Sequence, residues 1–232
     1  WKFGFQTLEF KNKTHLILKY KVLTDQDIKF FKEVVTERYV LISDFESYSF
    51  DATENLQFYP DIVLKPGTAE EVSEIVKYCN QNLLPITPRG AGTGLAGGAL
   101  AVNGGVVLSM ERLNKILEID ENNFQVQLEA GVINYDLQQA LSEVNLFYPP
   151  DPSSWQSSFI GGNIGTNAGG PKAVKYGVTS NYVLNLEVVL PNGETIWTGA
   201  NTLKNSTGLN LTQLFVGSEG TLGIITKAVL KV

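Results

Sequence analysis

The chain has 232 residues, 43% of them apolar, a formal charge of -6 at pH 7 and a pI of about 4.9, so it can bury a sizeable core in one large domain or two small lobes. Its acidic field repels nucleic acid and anionic lipid, and its glycines, though abundant, follow no collagen-like period. Apolar runs such as Val183 to Leu190, broken by Asn185 and Glu187, are too short to span a bilayer.

Residues 24–38, TDQDIKFFKEVVTER, carry Ile28, Phe31, Val34 and Val35 at helical spacing and predict an amphipathic helix capped by Thr24 or Asp25. Asp61-Ile62-Val63-Leu64-Lys65-Pro66 reads as a strand stopped by Pro-Gly. Thr68 with Glu71 forms a capping box for a helix to Asn82. Val72, Ile75, Val76 and Cys79 share one face of that helix, which makes Cys79 a packed core thiol. Leu83–Thr87 and Gly105–Met110 are further strands with a glycine-rich loop between them. This order suggests a small α/β lobe with a buried parallel pair.

Beyond it, Phe124, Val126 and Leu128 alternate with Gln125, Gln127 and Glu129, predicting a half-buried strand with the first set inward. Asn134 is positioned to cap a helix to Val144, and a long irregular stretch follows from Tyr148 to Tyr176. Strands at 183–190 and 194–198 join across Pro191-Asn192-Gly193, a hairpin signal, and Gly223–Val232 is the last strand. The fold class is therefore α+β in two lobes, a small one with a parallel sheet and a larger, mostly antiparallel one.

Gly90, Gly92, Gly94, Gly97 and Gly98 fall within nine residues, where no ordinary helix or strand persists. Arg89 is the only charge from Leu83 to Met110, and Lys172 and Lys175 are the only ones from Pro152 to Leu186. Acids are absent from both glycine-rich segments, so an anion suits either. Gly92-x-Gly94-x-x-Gly97 matches the dinucleotide fingerprint by letter, but Leu95 to Gly105 lacks the periodicity of the helix that fingerprint opens. No Lys-Ser or Lys-Thr ends the run as a P-loop requires. The glycines serve either as turns or as a concave row of N–H donors that a diphosphate can approach without meeting a Cβ.

Three ordered segments then carry a resemblance: Pro88-Arg89-Gly90-Ala91-Gly92-Thr93-Gly94; Asp151-Pro152-Ser153-Ser154 leading into Gly161-Gly162-Asn163-Ile164-Gly165-Thr166-Asn167-Ala168-Gly169-Gly170; and Gly217-Ser218-Glu219-Gly220-Thr221-Leu222-Gly223-Ile224. From about Leu56 to Val232 the chain resembles the PCMH-type FAD domain of the vanillyl-alcohol oxidase superfamily. Within it, the chain is most similar to the branch that holds the flavin-binding glycolate oxidase component and the D-lactate and D-2-hydroxyglutarate dehydrogenases. Gly165 stands where that branch commonly has alanine.

The resemblance implies two lobes, about 56–115 and 116–232, with FAD between them, after an N-terminal extension over 1–55. Residues Pro88 to Gly94 would wrap the diphosphate. Asp151, Pro152, Ser153 and Ser157, with Gly161, Gly162, Thr166, Ala168 and Gly169, would line the ribityl and flavin region. Glu219, Gly223, Ile224 and Ile225 would approach the nucleotide end and the flavin. Some relatives tether the flavin through a histidine or cysteine in these segments. Here His15, read as a surface residue, and Cys79 lie elsewhere, so noncovalent FAD is expected.

The implied reaction is oxidation of a small 2-hydroxy acid to a 2-oxo acid by hydride transfer to flavin, with an unidentified electron acceptor. It needs a base and cationic groups for the substrate carboxylate. The chain presents no candidate for the base and no metal site, and the family's substrate domain would follow Val232. The alternatives are a stand-alone or noncatalytic flavin-binding subunit, or an oxidase of another alcohol class on the same fold. A homo-oligomer or a partner subunit fits either. Lys172, Lys175 and Tyr176 either reach a ligand or are solvated. Asp151 either tunes the flavin or forms a turn, and Trp155 either covers a flavin face or packs in the core. One cysteine excludes an intrachain disulfide, and no secretory apolar segment opens at Trp1, so a cytoplasmic location is expected.

Overall fold

The computed structural model describes residues 20–232, and the expectation for His15 lies outside them. Helix α1 (Asp25–Val35) starts at Thr24, whose Oγ1 accepts the Asp27 N–H while the Asp27 carboxylate accepts the Thr24 N–H at 2.8 Å. The helix ends short of the expected residue 38, because Thr36 takes φ 69°. Helix α2 (Ala69–Asn82) has Thr68 as its cap, accepting the Glu71 N–H at 3.1 Å. The reciprocal half of the expected box goes elsewhere, since Glu71 accepts from Gly67 N–H. Leu83 is the left-handed C-cap of α2, so the strand expected from Leu83 begins at Ile86.

The first sheet contains β1 (Val40–Leu41), β2 (Ile62–Leu64), β3 (Ile86–Arg89) and β4 (Val106–Ser109) in the order β1-β2-β4-β3. Strands β2 and β3 both run parallel to β4, and β1 is antiparallel to β2. Phe31 and Val35 of α1 and Val72, Ile75, Val76 and Cys79 of α2 bury against this sheet. Complete burial of Phe31 alone stabilises by about 1.5–3 kcal/mol.

The second sheet is antiparallel throughout: β5 (Ile116–Asp120), β6 (Gln125–Glu129), β7 (Val183–Val189), β8 (Thr195–Trp197) and β9 (Ile224–Lys231), ordered β5-β6-β9-β7-β8. Val126 and Leu128 point inward as expected, but the phase fails at both ends of β6. Phe124 takes φ 54° in the preceding turn and is exposed, while Glu129 is buried with its carboxylate accepting the Lys115 N–H at 2.9 Å. Helix α3 (Asn134–Glu143) is capped by Ile133. Asn134 is instead buried in the first turn, donating to the Pro150 carbonyl.

The stretch expected to be irregular contains α4 (Ile160–Gly165) and α5 (Ala173–Tyr176), and α6 (Leu211–Phe215) precedes β9. The expected hairpin joins β7 to β8, with Gly193 at φ 87°. The two sheets are docked, because Val189 and Ile224 of the second pack into the core of the first and Ser73 of α2 donates to the Gly193 carbonyl. That docking brings three loops together at the carboxyl end of β3.

Candidate cofactor-binding site

Strand β3 ends at Arg89, and the chain reaches β4 by a glycine-rich loop with no helix in it. Gly92 takes φ 71°, and a Cβ there would collide with the Arg89 guanidinium. Only glycine lets this turn lie against that side chain. The loop forms one wall of a cleft of about 850 Å³, within the range of small-molecule and cofactor sites. Pro88 to Gly94 all line it.

The second wall is α4. Three of its six residues are glycine, a poor local recipe for a helix, yet tertiary bonds hold it in place. Ile160 N–H donates to Val132 O at 2.8 Å, Gly161 N–H donates to Ala130 O at 2.7 Å, and Ile160 and Ile164 are fully buried beneath. A Cβ on Gly161 would stand 2.6 Å from the Ala130 Cβ, so glycine is needed for this close approach. Ser158 and Asn163, 1% and 4% exposed, line the cleft, and Ser158 Oγ and Asn163 Nδ2 have no hydrogen-bond partner among the described residues. Buried polar atoms left unpaired cost about 1–3 kcal/mol each unless a ligand satisfies them.

The third wall is the turn before β9. Glu219 adopts φ 51°, donates its N–H to Gly165 O at 2.9 Å and brings its carboxylate up against Gly98 of the first loop. Asn167, on the α4 side of the cleft, is likewise left-handed at φ 49°. Strained non-glycine backbone of this kind concentrates at ligand sites.

Among the described residues lining the cleft, the ionisable ones are Asp51, Arg89 and Glu219. Arg89 is 5% exposed. Burial pulls its guanidinium below the usual arginine range, and the nearby Asp51 and Tyr48 oppose that shift. It remains a cation at any physiological pH. Among the described residues, no group of three or more His, Cys, Asp or Glu side chains is placed to hold a metal.

Of the residues expected to hold the cofactor, the lining takes in Pro88, Arg89, Gly90, Ala91, Gly92, Thr93, Gly94, Pro152, Ser153, Gly161, Gly162, Thr166, Ala168, Gly169, Glu219, Gly223, Ile224 and Ile225. Asp151 and Ser157 stand outside it. Asp151 turns toward α5, accepting the Lys172 N–H at 3.2 Å and pairing with its Nζ at 3.4 Å. Ser157 is exposed on a turn, and its neighbour Ser158 takes the inward position. Lys175 lies over the Tyr176 ring and Trp155 packs on Tyr135, so neither enters the lining. Asp51, Ser158 and Asn163 are the polar side chains of note among the residues that line the cleft beyond the expected set. Asn163 and Ser158 flank the start of the second glycine run, a usable signal, whereas nothing local marks Asp51.

The lining fits FAD on observations of the fold itself: a turn open to an anion at Gly92, unpaired buried donors and acceptors at Ser158 and Asn163, and a cleft of suitable volume. A family model described as "FAD binding domain" matches residues 60–199. The chain is 51% identical over 184 residues to the glycolate oxidase subunit GlcD of Bacillus subtilis (strain 168), covering 79% of this chain and 39% of that protein. It is 45% identical over 218 residues to a D-lactate dehydrogenase of Anaerostipes hadrus, covering 92% of this chain and 45% of that one. A D-2-hydroxyglutarate dehydrogenase of Stutzerimonas stutzeri (strain A1501) is 38% identical over 211 residues, covering 91% and 42%. A solved alkyldihydroxyacetonephosphate synthase superposes with a TM-score of 0.79 at 25% identity, over 92% of this chain and 41% of the other. The chain thus spans less than half the length of these relatives. With more than half of its own length matched by the family model, and with identities of this size, the chain belongs to the FAD binding domain family.

Proposed function

We propose that the chain holds FAD noncovalently between its two lobes and is the flavin-binding part of an oxidoreductase that converts a small 2-hydroxy acid to a 2-oxo acid. The convergence of three loops on one cleft, with Ser158 and Asn163 buried and unpaired inside it, carries the cofactor reading. The substrate class rests on relatives named for glycolate, D-lactate and D-2-hydroxyglutarate.

The main-chain N–H groups of Gly90 to Gly94 would face the diphosphate. Ser158 and Asn163 would bond to polar atoms of the cofactor, while Met110, Phe159 and Ile224, which also line the cleft, would exclude water around it. Bound FAD would supply the two-electron acceptor for the hydride that leaves the substrate carbon. Covalent tethering through Cys79 is disfavoured. The thiol sits in the core under α2, outside the cleft lining, and burial with the charge of Asp27 pushes it up to about 12, so it is a thiol and not a nucleophilic thiolate. One relative is named as a subunit, which supports assembly with a partner subunit or a second copy. A cytoplasmic location is consistent with the single unpaired cysteine, and no described helix is long and apolar enough to cross a membrane.

A second reading concerns the chain by itself. Apart from the carboxylates of Asp51 and Glu219, the described cleft lining has no side chain that could serve as a base, and this sparse set favours a module that holds flavin without turning over. Reconstitution with FAD followed by gel filtration tests the cofactor. Oxidised-flavin absorbance should travel with the protein, and its absence would defeat the proposal. Anaerobic addition of glycolate, D-lactate or D-2-hydroxyglutarate to the FAD-loaded protein that carries this chain should bleach the flavin. Bleaching by an unrelated alcohol instead would move the substrate to another class.

A further inference from the structure

Arg89 is the one charge in the first glycine segment, yet its side chain is turned to the back of the loop. Its Nη1 donates to Ala99 O at 3.2 Å, and its Nη2 donates to Ser47 O at 3.0 Å and Phe50 O at 2.7 Å. The same stretch is stitched to the loop twice more. Ala52 N–H donates to Gly94 O at 3.1 Å, and Gly97 N–H donates to Thr53 Oγ1 at 2.9 Å. Residues 47–53, upstream of the family match, therefore form the back of the glycine turn.

The three carbonyls take three of the five N–H donors of Arg89 and bring only dipoles, and the Tyr48 ring, its centroid 5.7 Å from the guanidinium carbon, brings no net charge either. Among the described residues no carboxylate lies within ion-pairing distance of it. Asp51 acts on it from farther away and bonds instead to the Thr53 N–H at 2.8 Å. A buried cation so incompletely compensated is costly unless an anion comes near. The guanidinium stands against Gly92 where a Cβ would point, and both residues line the cleft.

We propose that Arg89 is a positioning residue for the cofactor diphosphate, locking residues 47–53 to the glycine turn and lending its charge to the bound anion from behind the main chain. This rests on the FAD reading above. It separates two roles that a phosphate-binding lysine combines: here the backbone touches the anion, and the cation stays out of contact.

The experiment compares the wild-type chain with Arg89→Lys and Arg89→Met by titrating FAD and riboflavin, which lacks the diphosphate, at low and high ionic strength. Arg89→Met should weaken FAD at least about ten-fold at low salt, flatten its salt dependence and leave riboflavin within about two-fold. Arg89→Lys should recover most of the FAD affinity and its salt dependence. Unchanged FAD affinity in Arg89→Met overturns the proposal. So does equal weakening in both variants with the wild-type salt dependence retained, which would make Arg89 a structural tie alone. Should Arg89→Met fail to fold, Thr53→Val carries the test: it removes the tie to Gly97 and should weaken FAD but not riboflavin, and no effect on FAD sinks the idea. Wild-type chain that binds no FAD refutes the proposed function itself, whereas wild-type binding with indifferent variants refutes only this inference.

Discussion

Gly92 shows how one residue type answers two demands. Its φ of 71° is a conformation that side-chain-bearing residues rarely adopt, and the space where a Cβ would sit is taken by the Arg89 guanidinium. Gly92→Val meets both penalties, since a β-branched residue suits the left-handed region least. We expect a loss of about 1–3 kcal/mol in a urea titration from the backbone strain alone. FAD occupancy should fall with it. Wild-type occupancy in the folded variant would place the diphosphate somewhere other than this turn. The glycine run is legible because an absent side chain is visible in a sequence. Which of two adjacent serines faces inward is not, since a turn between Ser154 and Ser158 sets that phase.

At the scale of elements, α4 sets a local preference against a tertiary contact. Alanine in place of a helical glycine ordinarily stabilises by about 1 kcal/mol. At Gly161 the new methyl would be 2.6 Å from Ala130 Cβ and 2.9 Å from Ala130 O, where backbone cannot yield cheaply. Overpacking costs about 1–3 kcal/mol, so Gly161→Ala should be net destabilising and should lower the denaturant midpoint. A midpoint raised above wild type would show that α4 can shift away from Ala130. The same override explains why α4 is unreadable from the sequence: its glycines argue against a helix, and the bonds to Ala130 and Val132 that hold it are distant along the chain.

Helix α1 is the opposite case, with its start written in Thr24, to which the structure adds Asp27 as the reciprocal partner. Burial pushes the Asp27 carboxyl up, but hydrogen bonds from Lys21, Thr24 and Tyr78 outweigh this and bring it from 3.8 down to about 2. A depressed folded-state pKa stabilises above the unfolded value, and that stability is lost as pH falls through about 2. Asp27→Asn should therefore melt below wild type at pH 7, and the gap should close between about pH 4 and pH 2. A gap that stays constant across that range would remove the charge from the account.

For the whole molecule, the Thr24 and Thr68 caps and the Pro191-Asn192-Gly193 hairpin help to lay out two lobes, while the Asn134 cap fails and the cleft is legible only through the resemblance that the three glycine-bearing segments carry. Asp51 escapes such a reading because it reaches the cleft only through the long-range bonds of Arg89, Ala52 and Thr53. Asp151 is drawn out of the cleft because Lys172, twenty-one residues on, competes for it. What remains open to test is whether the lobes respond as one body. Val189 and Ile224 sit in the first lobe's core while belonging to the second sheet, so loosening either lobe exposes apolar surface of the other. Each lobe has its own reporter in a Trp1→Phe background: the buried Cys79 thiol in the first, Trp155 and Trp197 in the second. FAD at about one hundred times its Kd adds about 2.7 kcal/mol to the folded state. For a chain of this size that raises Tm by about 5–10 °C. Thermal onset of Cys79 labelling and the Trp fluorescence transition should move together by that amount. A shift in fluorescence with Cys79 labelling unmoved would mean that the lobes unfold separately and that the Val189 and Ile224 contacts are too weak to couple them.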